Sequence, residues 1–307
     1  MANGTEAIEL SLRDAGITSP RQEVLTSALT APFTGIGIVS AGCSIRFADV
    51  AEDTLLIDPA DSAARVTRRT AAIVPVYLYA QVADLLALRK IGLPLIQDAC
   101  QAHGAKYRGK PLTDYGPYVA YSFYPTKNLG ALGDGGAIAT NSKAIDRRLR
   151  QWRDGGRRPS GQISYFKGLN SRLDELQCCY LRAFLTKLDE WNDDRRRLAA
   201  LYDQALAGCE GIRPVVTNAE SVRHLYVIRS KRRDALRAHL SSKGIATGIH
   251  YPKPLHLMPA FADAGLRRGD LPHAERACRE ILSLPLWPRM PDRMVHQAAE
   301  AVRKFFA

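Results

Sequence analysis

Lys127 stands in the run Ser122-Phe-Tyr-Pro-Thr-Lys127-Asn-Leu-Gly-Ala-Leu-Gly-Asp-Gly-Gly136, between a short apolar stretch and a cluster of glycines. Glycines let a backbone close tightly around a bound group. The setting differs from that of a lysine on a solvated helix face. A lysine amine condenses with an aldehyde to form a Schiff base. The best-known protein-bound aldehyde is pyridoxal 5'-phosphate (PLP), an electron sink for carbanion chemistry. Such chemistry needs an amine for the aldehyde and a carboxylate against the pyridine nitrogen. It also needs hydroxyls and backbone N–H groups for the phosphate, commonly at a helix N-terminus. Lys127 offers the amine. Asp98, in Leu95-Ile-Gln-Asp98-Ala-Cys-Gln101-Ala-His103-Gly, offers the carboxylate. Gly4, Thr5 and Ser122 are the phosphate candidates. Taken singly, each has a plainer role: Asp98 or Thr5 as a helix cap, Ser122 as a core-facing hydroxyl, His103 as a packed ring.

The elements that must position these residues alternate in the first half of the chain. A helix is expected from Glu6 to Ala15, with Thr5 as its N-cap. Strands are expected over 44–50, 71–79 (bent, or at a sheet edge, given its internal proline), 94–98, 118–123 and 136–140, with a helix over 81–90. Strands separated by helices imply a largely parallel α/β sheet, whose ligands gather beyond the carboxyl ends of the strands. Asp98 and Ser122 both fall at such ends. A long helical pattern runs over 171–207, interrupted near 189–194. A strand over 221–229, helices over 234–243, 271–281 and 291–306, and a loop over 248–254 complete the chain. The division expected is a large domain, 1–189, and a smaller C-terminal α+β domain, 190–307.

Composition narrows the class. The chain has 307 residues, 46% of them hydrophobic and 24% charged, the balance of a soluble globular protein. It has no apolar run of membrane-spanning length and no signal peptide at its start, so a cytoplasmic protein is expected. The net charge is +12. Its arginine clusters come without a zinc-finger, KH or RNP pattern, so anionic small substrates are favoured over nucleic acid. The cysteines, Cys43, Cys100, Cys178, Cys179, Cys209 and Cys278, contain no CxxC pair. They read as buried free thiols, and no metal site is expected. The glycines at 35, 37 and 42 miss the dinucleotide-binding spacing, and no GxxxxGK[ST] occurs.

Several further segments join those around Asp98 and Lys127: Ala2-Asn-Gly-Thr-Glu-Ala-Ile-Glu-Leu, Val74-Pro-Val-Tyr-Leu-Tyr, Gly168-Leu-Asn-Ser-Arg-Leu-Asp-Glu-Leu-Gln177, Gly248-Ile-His-Tyr-Pro252 and Leu282-Ser-Leu-Pro-Leu-Trp-Pro288. In this order and over essentially the whole length, the chain resembles the DegT/DnrJ/StrS family of PLP-dependent nucleotide-sugar aminotransferases. The resemblance implies a fold-type-I PLP-dependent transferase, a homodimer with active sites at the subunit interface. Lys127 matches its Schiff-base lysine and proton shuttle, and Asp98 its pyridine-nitrogen partner. Gln101 matches a residue near the cofactor ring. Ser122 and Gly4-Thr5 match phosphate ligands, and Asn170 one that reaches the cofactor phosphate of the neighbouring subunit. His250 and Tyr251 match a loop near the substrate, and Arg229 is a candidate for the nucleotide diphosphate. The implied reaction takes an amino group, usually from glutamate, through pyridoxamine phosphate to a keto-sugar on dTDP or UDP. The Gly-Ala-Leu-Gly-Asp-Gly-Gly stretch leans toward a 3-keto-6-deoxyhexose on dTDP.

Two features depart from the family pattern. Met1 falls just before the phosphate-binding Gly4-Thr5, where members carry a further N-terminal stretch that supplies helix, dimer contact and pocket wall. Gly35 stands where an aromatic that stacks on the cofactor ring is expected. Both support a competing reading, a non-catalytic regulatory or binding protein or an inactive truncated member. A sugar dehydratase on the same fold is disfavoured, because that branch replaces the lysine with histidine.

Overall fold

The computed structural model describes residues 1–159 and 161–307. Helix α1 (Gly4–Asp14) opens the chain, capped by Asn3, whose side chain accepts from the N–H of Glu6. The helix therefore starts earlier than expected, and Thr5 lies inside its first turn. Asn3 wins the cap because its short amide reaches the third helical N–H.

Strands β1 (Glu23–Ser27), β2 (Ser44–Ala48), β3 (Thr70–Val74), β4 (Ile96–Asp98), β7 (Tyr118–Ser122) and β8 (Gly136–Ala139) build the main sheet. Two short strands, β5 (Lys106–Tyr107) and β6 (Lys110–Pro111), form a hairpin beside it. Parallel ladders join β2 to β1, β1 to β3 and β4 to β7. Parallel bridges Ile73–Leu95 and Val76–Asp98 tie β3 to β4, which makes the order β2-β1-β3-β4-β7-β8. Only β8 runs antiparallel, against β7, because the loop between them returns without a crossover helix. That loop carries Lys127.

β1 and α2 (Pro32–Ser40) had no signal in the sequence pattern. β1 is buried on both faces from Val24 to Ser27, so it shows no alternation. α2 reads PFTGIGIVS, rich in glycine and β-branched residues that favour helix weakly. The strand expected over 71–79 stops at Val74, where Pro75 offers no N–H. Tyr79 and Ala80 then take left-handed φ of 58° and 70°, conformations that cost energy outside glycine and cluster at functional sites.

α3 (Pro59–Arg65), α4 (Leu85–Arg89) and α5 (Lys143–Trp152) complete the large part. The long helical pattern divides into α6 (Glu175–Leu185) and α7 (Leu188–Ala205), broken at Thr186–Lys187. Residues 189–194 are helical: Asp189 and Glu190 sit in the first turn of α7, where carboxylates favour the helix dipole. The expected division at residue 190 falls in this first turn. Beyond it, β9 (Arg213–Pro214), β10 (Tyr226–Arg229) and β11 (Ile281–Leu284) form an antiparallel sheet. α7, α8 (Arg233–Ser242) and α10 (Asp292–Phe306) close a core over it that includes Leu198, Tyr202, Ile228, Leu236 and Val302. α9 (Pro272–Glu280) leads into β11. All six cysteines are free, but Cys178 and Cys179 on α6 are exposed rather than buried. No helix among the described residues is long and apolar enough to cross a membrane.

Candidate active site

A cavity of about 540 Å³ lies beyond the carboxyl ends of β4 and β7. Gly4, Thr5, Asp98, Gln101, Ser122, Lys127, His250 and Tyr251 all line it. The topology explains the gathering. Each parallel strand delivers its last residue to the same edge, and the β7–β8 loop folds Lys127 over it.

Asp98 ends β4 and is only 4% exposed. Thr34 Oγ1 donates to its Oδ2 at 2.8 Å, and the N–H of Cys100 donates to Oδ1 at 3.1 Å. Neither donor is charged. A buried carboxylate held this way needs a cation to complete it, and the N–H of a protonated pyridine is such a group. Sequence reading missed Thr34, which becomes a partner of Asp98 only once α2 packs over β4.

The phosphate end is shaped by close approach. A Cβ on Gly4 would lie 2.8 Å from both Cys100 Sγ and Ser122 Cβ, and one on Gly136 would lie 2.3 Å from the carbonyl oxygen of Asn3. These glycines let the start of α1 press against the ends of β7 and β8. With the Glu6 N–H taken by Asn3, the N–H groups of Gly4 and Thr5 have no intrahelical acceptor and present the positive end of the helix to the cavity. The fit to a phosphate is direct. Gly4→Val should crowd this cradle and weaken PLP binding at least about tenfold, at a packing cost of about 1–3 kcal/mol. Spectroscopic titration with PLP, beside a urea melt, checks both effects.

Lys127 is half-buried, and three histidines near it stay neutral. Burial, then the Lys127 charge, holds His103 down to about 3. The same two causes put His224 well below the ordinary imidazole value and His250 below it. Below about pH 6.5 the unfolded chain takes up protons on these rings more readily than the folded chain does. Unfolded protein then binds more protons, so stability is complete above about pH 6.5 and is lost as pH falls. The loss is up to about 1.4 kcal/mol per pH unit for each ring. His103 packs against Tyr121 and Phe123, with ring centroids 5.2 Å and 5.8 Å away, and neither of its nitrogens has a partner. His103→Phe should flatten the pH slope of the urea midpoint between about pH 6.5 and pH 4.

Gln101 joins the sheet to the smaller part. Its Oε1 accepts from the N–H of Tyr79 at 2.7 Å, and its Nε2 donates to the Tyr251 hydroxyl at 3.2 Å. Burial, then the Asp98 charge, pushes Tyr251 up to about 12. The hydroxyl stays protonated and, accepting from Gln101, keeps its own hydrogen for a ligand. His250 is fixed by Ser283 Oγ at 2.9 Å from Nδ1 and by the Tyr79 hydroxyl, which donates to its carbonyl at 2.5 Å.

Two proposed residues lie apart from the cavity. Asn170 is exposed and bridges to Asp154 on a surface segment. Arg229 is 3% exposed, its Nη2 and Nε donating to Glu280 at 2.7 Å and 3.0 Å and its Nη1 to the carbonyl of Glu52 at 2.6 Å. Its hydrogen-bonding groups are already engaged inside the protein, so it is not presented to a diphosphate in this cavity. Gly35 also departs from expectation. A Cβ there would lie 2.7 Å from the ring of Phe261, so the position faces the core and not the cavity. The aromatics on the cavity wall are Phe33, 61% exposed, Tyr124 and Tyr251.

Comparison with known proteins extends the geometry. The model of the DegT/DnrJ/EryC1/StrS aminotransferase family matches residues 1–303. The chain belongs to this family. Members at this similarity include a dTDP-3-amino-3,4,6-trideoxy-alpha-D-glucose transaminase of Streptomyces venezuelae, 41% identical over 99% of this chain and 81% of its own length. A pleiotropic regulatory protein of Geobacillus stearothermophilus is 43% identical over 99% of this chain and 83% of its own. The crystal structure of S. venezuelae DesV in complex with a ketimine intermediate superposes with a TM-score of 0.95 at 41% identity, covering 99% of this chain and 83% of that one. As an aminotransferase of the DegT/DnrJ/EryC1/StrS family, the chain has the PLP-dependent α/β transferase fold, and its cofactor is PLP.

Proposed function

We propose that this family member moves an amino group, from glutamate, to a keto-sugar carried on a nucleotide, with a 3-keto-6-deoxyhexose on dTDP as the favoured acceptor. The observation that carries the reading is the shared cavity. It brings a lysine amine, a buried carboxylate with uncharged partners and an open helix N-terminus around one volume. PLP, when bound, supplies the electron sink for amino transfer. The residues supply the rest. Asp98 holds positive charge at the ring end of the cavity. Gly4, Thr5 and Ser122 hold negative charge at the other end. Lys127 Nζ carries a proton to and from the reacting carbon. Tyr251 and His250 orient the sugar from the smaller part. The intact Lys127 and Asp98 favour catalysis over a purely regulatory role.

The working form proposed is a homodimer in the cytoplasm. Phe33, Ile36 and Val39 expose one apolar stripe of α2, while Leu176 and Leu185 are exposed on α6. A second copy would cover such surface. Asn170, exposed and off its own cavity, would in such a dimer serve the neighbour's phosphate.

The test incubates purified protein and PLP with glutamate and a dTDP-linked keto-sugar, followed by mass spectrometry. The amino-sugar nucleotide and 2-oxoglutarate should form together. Deoxygenation without amine transfer, or DNA binding by a protein that takes up no PLP, would contradict the proposal.

A further inference from the structure

Asn128 follows Lys127 and is 3% exposed. Both hydrogens of its amide are used. Nδ2 donates to Asn192 Oδ1 at 2.8 Å and to the carbonyl of Val222 at 2.9 Å. Asn192 in turn donates its own Nδ2 to the carbonyl of His103 at 2.9 Å. Backbone carbonyls at both ends therefore fix which way each amide points. Asn128 Oδ1 is left as a pure acceptor, and it faces Nδ1 of His224 at 2.9 Å. An acceptor opposite Nδ1 requires a hydrogen on Nδ1. In a neutral ring the lone pair then lies on Nε2. Among the described residues Nε2 has no hydrogen-bond partner, and it is not sealed from solvent. His224 lines the cavity together with Lys127, and Nε2 is its ring nitrogen free to serve a group there.

We propose that His224 is a catalytic residue of this site, whose Nε2, unpartnered in this structure, is the acceptor that takes an N–H of the Lys127 amine as the amine turns to its target. Asn128 is the positioning residue that fixes the ring tautomer. The proposal rests on Lys127 being the reacting amine. One buried network then holds the lysine loop, α7 and the 222–224 segment in register, and the side chain next to the lysine sets the polarity of the ring that receives it. The neutrality of the ring fits the role, since a protonated His224 would repel the lysine and offer no lone pair.

Two measurements test it. The first is nitrogen NMR of protein labelled with ¹⁵N-histidine, without PLP. One ring should show a protonated Nδ1 and a bare Nε2, and its signals should vanish in His224→Gln. In Asn128→Leu the same ring should shift toward the Nε2–H tautomer. Asn128→Asp, which keeps an acceptor opposite Nδ1, should retain the Nδ1–H form. The second is the stopped-flow rate at which PLP becomes attached to the lysine. His224→Leu should slow attachment about tenfold, the scale of one lost hydrogen bond. His224→Gln, whose amide oxygen accepts in place of Nε2, should recover part of that loss. An Nε2–H tautomer in the parent protein overturns the proposal, as does His224→Leu attaching PLP at the parent rate. A parent protein that takes up no PLP overturns instead the reading of Lys127 on which the proposal rests.

Discussion

Lys127→Ala protein is expected to lose amino transfer by a factor of about 10³ or more and to show no absorbance band from lysine-bound PLP. The size follows from two roles held by one side chain. Its amine anchors the aldehyde, and once released it moves the proton at the reacting carbon. Positioned proton transfer alone contributes about 10²–10⁴-fold. Among the described residues no other lysine lines the cavity, so none of them can replace it there. The fold should persist, because Lys127 is half-buried and its main-chain N–H, bonded to the carbonyl of Tyr124 at 2.9 Å, is untouched by the substitution. Transfer rates with added PLP, compared with thermal melts of both proteins, separate lost chemistry from lost structure. A variant that retained more than about a tenth of parental activity would place the reacting amine elsewhere.

Asp98→Asn is expected to lower the rate by about 10²–10³-fold, the usual cost of removing one aimed charge from a water-poor site. The substitution changes charge and not shape. Thr34 Oγ1 and the Cys100 N–H now meet a carboxylate at 2.8 Å and 3.1 Å, and an amide keeps only one accepting oxygen for them. Stability should therefore move by no more than about 1–3 kcal/mol, while the rate falls much further. PLP should still bind through Lys127 and the Gly4-Thr5 cradle. Undiminished transfer by Asp98→Asn would show that the carboxylate does not face the ring nitrogen.

The residues legible in the sequence share a property: each has a local signature. Lys127 sits among glycines, Asp98 ends an apolar strand, and Gly4-Thr5 opens a helix. Their convergence follows from parallel strands that end on one edge. What escaped reading depends on long-range contact. Thr34 reaches Asp98 across 64 positions, and His224 reaches Asn128 across 96. No window of sequence contains both partners. Arg229 resembled a free strand-end cation because Glu280, its partner, lies 51 positions on. Gly35 matches, by the family pattern, a position where an aromatic stacks on the cofactor ring, and only the packing of α2 against Phe261 shows that it faces the core. The second half was legible mainly as helices, and the break between α6 and α7 shifted because acidic residues that begin a helix also resemble a loop.

The most direct measurement traps the lysine. Purified protein is mixed with PLP, reduced with borohydride, digested and mapped by mass spectrometry. The phosphopyridoxyl group should appear on the peptide containing Lys127, at one group per chain, and should be absent from the Lys127→Ala protein. Label spread over surface lysines, or found at equal level in Lys127→Ala, would contradict the assignment of Lys127 as the residue that holds the cofactor.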